Sequence, residues 1–369
     1  MKKILALLLT AVLSVSLLAA CGQTPAEEPA EAEETEAVEA TESEGTEEAA
    51  ETASSGDLET IVITENVRGY HWAPAYLAEA LGYFEEQGLQ ADFQTIQGAD
   101  STAPVINGEA LFCLKGIETA LMLNEAGQGC KVVLSATQKY PYCLMGATEE
   151  YATLDSLRGQ TVGGGQSATS GPMAFMRACL NSAGLVPDQD VTAIDLPSAS
   201  YPAALDAGDV QAVVSTNPWN LKNLQDRGCV TIVEGTDDAV IQDIIGSSTY
   251  ELFTVITSDK NIQEQPETIQ KAVTAMAKAL QWMEAATPEE IAEALGALFE
   301  SSPEELLFDA TYDKEHEMAN YTGYHSDSGF QAGISLTQLS GGISADYAPD
   351  ASEIFDESFL DNAWAELGQ

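Results

Sequence analysis

Two stretches of this chain echo one another at a spacing of 100 residues, and that repeat limits the possible folds more than any other feature. The first is NGEALFCLKGIETALMLNEAGQGCKVVL, from Asn107; the second is AGDVQAVVSTNPWNLKNLQDRGCVTIV, from Ala207. Gly108 aligns with Gly208, Glu109 with Asp209 and Leu114 with Val214; after a one-residue slip, Gly129-Cys130 aligns with Gly228-Cys229. Each copy reads as a turn, a short apolar strand with a polar end, a helix, a glycine stop and a second strand. Alternating β and α segments of this kind build mostly parallel sheet covered by helices. One unit in each half of the chain predicts two α/β lobes. Open sheets of this type take ligands at the carboxyl ends of their strands, so two facing lobes would enclose a cleft.

The flanking segments fit that plan. ETIVITENV and LQADFQTIQ read as strands, with PAYLAEALGYFEEQG between them as one helix ended by Gly88. Near Gly146, charged and turn residues replace the apolar strand, which predicts a crossing to the second lobe. TYELFTVITSD, near residue 250, is an extended apolar run suited to returning to the first sheet. The expected division is therefore 58–146 and 250–369 for lobe I, and 147–249 for lobe II. Helices follow the return, and Thr287 before Pro288-Glu289-Glu290 and Ser302 before Pro303-Glu304-Glu305 are helix-start signals.

The first 57 residues read differently. Lys2 and Lys3 precede an uncharged apolar run that ends LLAAC, the pattern of an export signal over residues 1–20. Residues 22–57 hold twelve glutamates and one aspartate, with no aromatic residue, Lys or Arg, so residues 21–57 are expected to form a solvated spacer. Without residues 1–57 the chain keeps a net charge near −34, which argues against nucleic acid or anionic lipid as partners. Cys113, Cys130, Cys143, Cys179 and Cys229 form no Cys-x-x-Cys pair, and most sit in apolar contexts that suit buried free thiols. One disulfide among them stays open in an exported protein. His71, His316 and His325 are too far apart in sequence to suggest a metal site.

The stretch GQTVGGGQSATSGP, residues 159–172, is on its own a weak signal for ligand contact. It reads as strand, tight turn and helix start, where backbone N–H groups favour an anion. It lacks the Lys-Ser/Thr pair of a P-loop, the spacing of a dinucleotide fingerprint and a Gly-x-Ser-x-Gly elbow. A plain strand-to-helix turn explains it equally well.

Taken together, the segments APAYLAEALGYFEEQGLQADF, INGEALFCLKGIETALMLNEAG, LDSLRGQTVGGGQSATSGPMAFMRACLNSAGL, LDAGDVQAVVSTNPWNLKNL and IFDESFLDNAW resemble extracytoplasmic solute-binding proteins of ABC importers. More narrowly, they are similar to the sulfonate/nitrate/taurine-binding and thiamine-pyrimidine-binding family, over essentially all of residues 58–369. Cys21 after LAA resembles a bacterial lipobox. The resemblance implies a two-lobed periplasmic-binding-protein-like α/β fold of type II, with two open sheets, flanking helices and a hinge of two crossovers. It also implies ligand capture without catalysis, delivery to an ABC permease with its ATPase, a diacylglyceryl anchor on Cys21 at the outer face of the cell membrane, a monomer, and no cofactor. Two departures matter. Asn217-Pro218 stands where the family usually has an acid-proline pair, and NVRGYHWAP stands where the thiamine-pyrimidine branch carries Asn-Thr-Asn-His.

Within that frame, RGYHWAP offers Arg68, Tyr70, His71 and Trp72 from a strand end of lobe I. Lys115 and Gly116 come from the repeat's strand end, and Tyr140 from a third. Lobe II would contribute Gln166, Ser167, Thr169 and Ser170 beside the helix start, with Ser215, Thr216, Asn217 and Trp219 at the matching end of the second repeat. Arginine can clamp a sulfonate or carboxylate in two-pronged fashion, and tryptophan offers a flat apolar wall. These residues predict a small organic anion of sulfonate, taurine or nitrate type, with a neutral heterocycle as the alternative ligand and a sensory lobe or enzyme of the same fold as alternative functions.

Overall fold

The computed structural model describes residues 58–96, 101–165 and 167–369; Cys21, the export segment, the acidic spacer and Gln166 lie outside the described residues. Among the described residues ten strands form two sheets. They are β1 (Glu59–Glu65), β2 (Leu89–Thr95), β3 (Phe112–Gly116), β4 (Cys130–Ser135), β5 (Cys143–Gly146), β6 (Thr161–Gly163), β7 (Thr192–Ile194), β8 (Ala212–Ser215), β9 (Val230–Glu234) and β10 (Phe253–Ser258).

The first sheet has the order β2-β1-β3-β10-β4 and the second β7-β6-β8-β5-β9. The echoed segments occupy equivalent places: β3 and β8 are the third strands, and β4 and β9 are the edges. In each sheet the fourth strand runs antiparallel to both neighbours. That strand is contributed across the hinge. β5 enters the second sheet directly after β4 of the first, and β10 returns to the first after the second is built.

The first crossing therefore precedes Cys143 and does not fall at Gly146. The apolar run CLMG, read as the last piece of lobe I, pairs with β8 and β9. A short buried strand suits either sheet equally well, so only pairing decides. The segment TYELFTVITSD does return to the first sheet, as β10.

The C-terminal region also departs from a single-lobe assignment. Helix Pro303–His316 and the residues after it place Tyr312 and Met318 in an apolar cluster with Cys143, Met145, Val213 and Leu221 of the second sheet and its helices. The larger cluster runs through both lobes, from Ile63 and Leu114 to Leu144 and Phe175. The cores of the two lobes are thus continuous, joined by Tyr140, Tyr142 and Tyr250 on the two crossings: the Tyr140 ring stacks on Phe175, meets Tyr142 edge-on and lies tilted against Tyr250.

Local signals act as their chemistry dictates. Thr287 and Glu290 form a reciprocal capping box, and Ser302 accepts from the Glu305 amide. The helix expected to run to Gly88 breaks at Leu81-Gly82 into Ala73–Ala80 and Tyr83–Glu86. The five cysteines among the described residues are all buried and free. Among the described residues no helix is long and apolar enough to cross a membrane.

Candidate functional site

A cleft of about 600 Å³ lies between the strand ends of the two sheets, walled by both lobes and both crossings. From lobe I the end of β1 supplies Arg68, and the single 3-10 turn Tyr70–Trp72 supplies His71 and Trp72. The end of β3 supplies Lys115 and Gly116, and helix Ile117–Glu125 adds Glu118 and Thr119 from its first turn. Lobe II gives Ser167, Thr169 and Ser170 at the start of helix Gly171–Ser182, with Thr216 and Asn217 at the end of β8. The crossings contribute Tyr142, Leu252 and Phe253.

Ten of the fifteen expected contacts thus line one cavity. They are Arg68, His71, Trp72, Lys115, Gly116, Ser167, Thr169, Ser170, Thr216 and Asn217. Gln166 lies outside the described residues. The other four face elsewhere. Ser215 is buried and donates its hydroxyl to the Asn217 carbonyl at 3.1 Å. Tyr70 is buried and donates its hydroxyl to Asp313 at 3.4 Å. Tyr140 is buried among Tyr142, Phe175 and Tyr250 and does not line the cleft. Trp219 sets its ring against Phe308, with the Lys222 ammonium 5.4 Å from its centre, while its amide donates to Asp309 at 2.9 Å.

Lining the cavity is not the same as being available to a ligand. The guanidinium of Arg68 donates to Glu65 at 2.9 Å and to the Leu298 carbonyl at 2.7 Å, and it packs over Tyr76 and Phe93. Its charge meets the fully buried Glu65 carboxylate, so the two-pronged anion clamp does not form. Asn217 uses its side-chain oxygen to cap helix Pro218–Asp226 through the Asn220 amide at 2.7 Å. Ser170 donates its hydroxyl to the Ser167 carbonyl at 2.8 Å. These are turn and cap contacts of the kind that fix a loop.

The walls are aromatic. His71 stacks on Phe253, with centroids 4.3 Å apart and planes 11° from parallel, and Trp72 meets the same ring edge-on at 4.8 Å. The Trp72 indole N–H donates to the Thr254 carbonyl at 3.2 Å, which fixes its plane. His71 is 7% exposed. Burial lowers its pKa to about 4, so the imidazole is neutral; the Thr216 backbone opposes this shift but falls short of a hydrogen bond, and neither ring nitrogen has a partner.

Glu118 is the charged lining residue that sequence reasoning missed. Burial lifts its carboxyl to about 7, against the pull of its own amide and of Lys115. Its Oε2 is shielded from solvent and has no hydrogen-bond partner. The carboxylate lies folded over Gly116, so close that a Cβ there would collide with it. Burial in turn lowers the Lys115 pKa, with Cys113 and Glu118 opposing. An acid in the first turn after the strand-end Lys-Gly was the available signal; among 59 acids it did not stand out. Tyr142, Leu252 and Phe253 were missed because they belong to the crossings rather than to either repeat.

A pocket that joins flat aromatic walls to a set of polar side chains suits retention of a small organic molecule. Among the described lining residues no serine or threonine hydroxyl is hydrogen-bonded to a histidine, the pairing that nucleophilic catalysis calls for.

Comparison with known proteins agrees with this architecture. Residues 70–291 match the family model described as NMT1/THI5 like. YtlA of Bacillus subtilis (strain 168), itself only provisionally named a binding protein, is 25% identical over 266 residues, covering 70% of this chain and 77% of its own. Among solved structures, the ligand-binding component of an ABC-type import system from Staphylococcus aureus superposes with a TM-score of 0.64 at 15% identity, covering 83% of this chain and 99% of that one. The periplasmic nitrate-binding protein NrtA from Synechocystis PCC 6803 gives 0.65 at 13%, covering 84% and 89%. The desulfurization enzyme DSZB also has this fold, with a TM-score of 0.59 at 13% identity over 84% of this chain and 99% of that one. The fold is the two-lobed one of periplasmic binding proteins.

Proposed function

This chain belongs to the NMT1/THI5-like family, and on that premise we propose that it is the solute-capturing component of an ABC importer, held outside the cell membrane through a lipid on Cys21 and delivering its ligand to a permease. The observation that carries the reading is the cleft itself: a cavity of about 600 Å³ at the strand ends of two sheets, with walls from both lobes. A ligand touching both walls stabilises the closed arrangement by its differential contacts. Binding rather than catalysis follows from the uncommitted chemistry of the walls, although the fold also serves an enzyme.

Of the two ligand classes, the heterocycle gains and the anion loses. Arg68 is held by Glu65, and the carboxylate of Glu118 stands beside Lys115. The stacked rings of His71 and Phe253, with Trp72 and Tyr142, offer flat surface to a planar molecule. The anion reading keeps Lys115 and the helix start at Gly171, with Ser167 and Thr169 beside it.

A thermal-shift screen of sulfonates, nitrate, taurine, carboxylates and aminated heterocycles tests both. A ligand at about 100 times its dissociation constant adds roughly 2.7 kcal/mol, which is a rise of several degrees. Scattering with a saturating hit should show compaction; an unchanged radius argues against capture by closure. Loss of membrane partitioning in Cys21→Ser supports the anchor, and unchanged partitioning removes it.

A further inference from the structure

We propose that Glu118 sets the ligand class of this cleft: it selects a small planar solute that presents a hydrogen-bond donor to lobe I, an amine, amidine or ring N–H, and rejects solutes that present an anion there. The inference rests on the reading of the cleft as a solute site.

Three observations converge. Glu118 lines a large cavity, and its Oε2 is shielded from solvent and has no partner. A shielded carboxylate oxygen without a donor is costly, and a ligand N–H supplies the missing bond. Second, the carboxylate folds over Gly116 toward its own amide at the start of helix Ile117–Glu125. That is where a bound anion would gain from the helix dipole, and the chain already places its own anion there. Third, His71 stands on the same wall, 7% exposed, neutral, and with both ring nitrogens unpartnered. A neutral imidazole offers one donor and one acceptor, which complements a ring carrying both. Its stack with Phe253 fixes the plane on which such a ring would lie.

Among the described residues the groups that act on Glu118 come from three elements. Lys115 comes from β3, Tyr140 and Tyr142 from the first crossing and Tyr250 from the second. The three tyrosines are held neutral by burial, so near neutrality Lys115 and Glu118 are the charged members of this group of described residues. The Glu118 carboxyl titrates at about 7, so the donor preference strengthens as pH rises through that value.

Benzamidine, benzamide, benzoate and benzenesulfonate share one ring and differ in head group, which makes them suitable probes. Calorimetric titration of the full chain at about pH 8 should favour benzamidine over the two anions by roughly ten-fold or more, as a charge-assisted pair requires. Glu118→Gln, which keeps shape and removes charge, should bring the series within about three-fold and abolish the pH dependence of benzamidine binding. Gly116→Ala, which displaces the carboxylate, should act in the same direction. Anions bound as tightly as benzamidine by the unsubstituted chain, an unchanged ratio in Glu118→Gln, or no binding of any of the four overturns the inference. Thr169→Trp, which fills the opposite wall, separates the two levels. If it abolishes binding while Glu118→Gln leaves the ratio intact, the cleft reading stands and the role of Glu118 falls. If it leaves benzamidine binding untouched, the cleft reading falls as well.

Discussion

The two helix starts that face each other across the cleft are built on equivalent sheets and carry opposite chemistry. Helix Ile117–Glu125 of lobe I begins with a carboxylate in its first turn, while helix Gly171–Ser182 of lobe II has no acid there. The first is self-occupied, with Glu118 folded over Gly116. The second is lined by Ser167, Thr169 and Ser170, of which Ser170 is tied into its own turn. A pseudo-symmetric frame therefore yields an asymmetric site. The sheet order positions the wall, and one side chain per wall decides which charge it accepts.

The strongest way to break this comparison is steric. Thr169→Trp places an indole in the lobe II half of the cleft, and affinity for any hit from the screen should fall by roughly a hundred-fold, about 2.7 kcal/mol. Calorimetric titration reads it, and retained affinity would mean that the lobe II wall takes no part.

A weaker but more informative change makes the two walls alike. Pro172→Glu gives lobe II an acid at the second helical position, the place that Glu118 holds in lobe I. Anionic probes should lose roughly ten-fold in affinity, while neutral ones change little. The change also adds a favourable dipole contact of about 0.3–1 kcal/mol to the helix. Equal losses for anionic and neutral probes would point to damage rather than charge.

The pH dependence of stability sharpens the comparison without any ligand. Burial raises Glu118, Asp309 and Asp313 to about 7, so folding favours their protonated forms. Their contribution is fully present below ordinary carboxyl pKa values and is lost as pH rises through about 7. His71, lowered to about 4, acts oppositely: its contribution is present above the usual histidine value and is lost as pH falls through about 4. The melting temperature should therefore rise from pH 8 toward pH 5.5, with the His71 loss offsetting part of the carboxyl gain between the usual histidine value and about 4. Glu118→Gln should remove part of the alkaline loss, roughly 1–2 kcal/mol because the residue is not wholly enclosed. A flat melting profile between pH 5.5 and 8 would contradict this.

The smallest expected effect concerns Trp219. Its ring packs on Phe308 away from the cavity, so Trp219→Phe should change affinity by less than about two-fold. A larger change would bring helix Pro218–Asp226 back into the site.

What could be read from the sequence follows the range of the interactions. The repeat placed β3 with β8 and β4 with β9, because each unit is set by alternation, turns and caps within some thirty residues. The crossing was misplaced by a few residues because CLMG is apolar in any sheet. Arg68 looked available because its partner, Glu65, sits in the preceding strand, and sequence does not show which way a strand's side chains face. Tyr140 looked like a strand-end contact, yet its burial depends on Phe175 and Tyr250, which meet it only when the crossings pack.

By itself, then, the sequence determined that two βα units would build two sheets, where most helices begin, and that strand ends from both halves would carry polar groups. Tertiary structure alone decided which strand completes each sheet, that the two cores merge, that Arg68 is neutralised and that Glu118 is shielded. The physical reason is desolvation and pairing: a charge changes character when groups distant in sequence exclude water from it or meet it. Helix Pro303–His316 shows this most plainly, since Asp309 and Asp313 join Trp219 and Tyr70 across gaps of 90 and 243 residues.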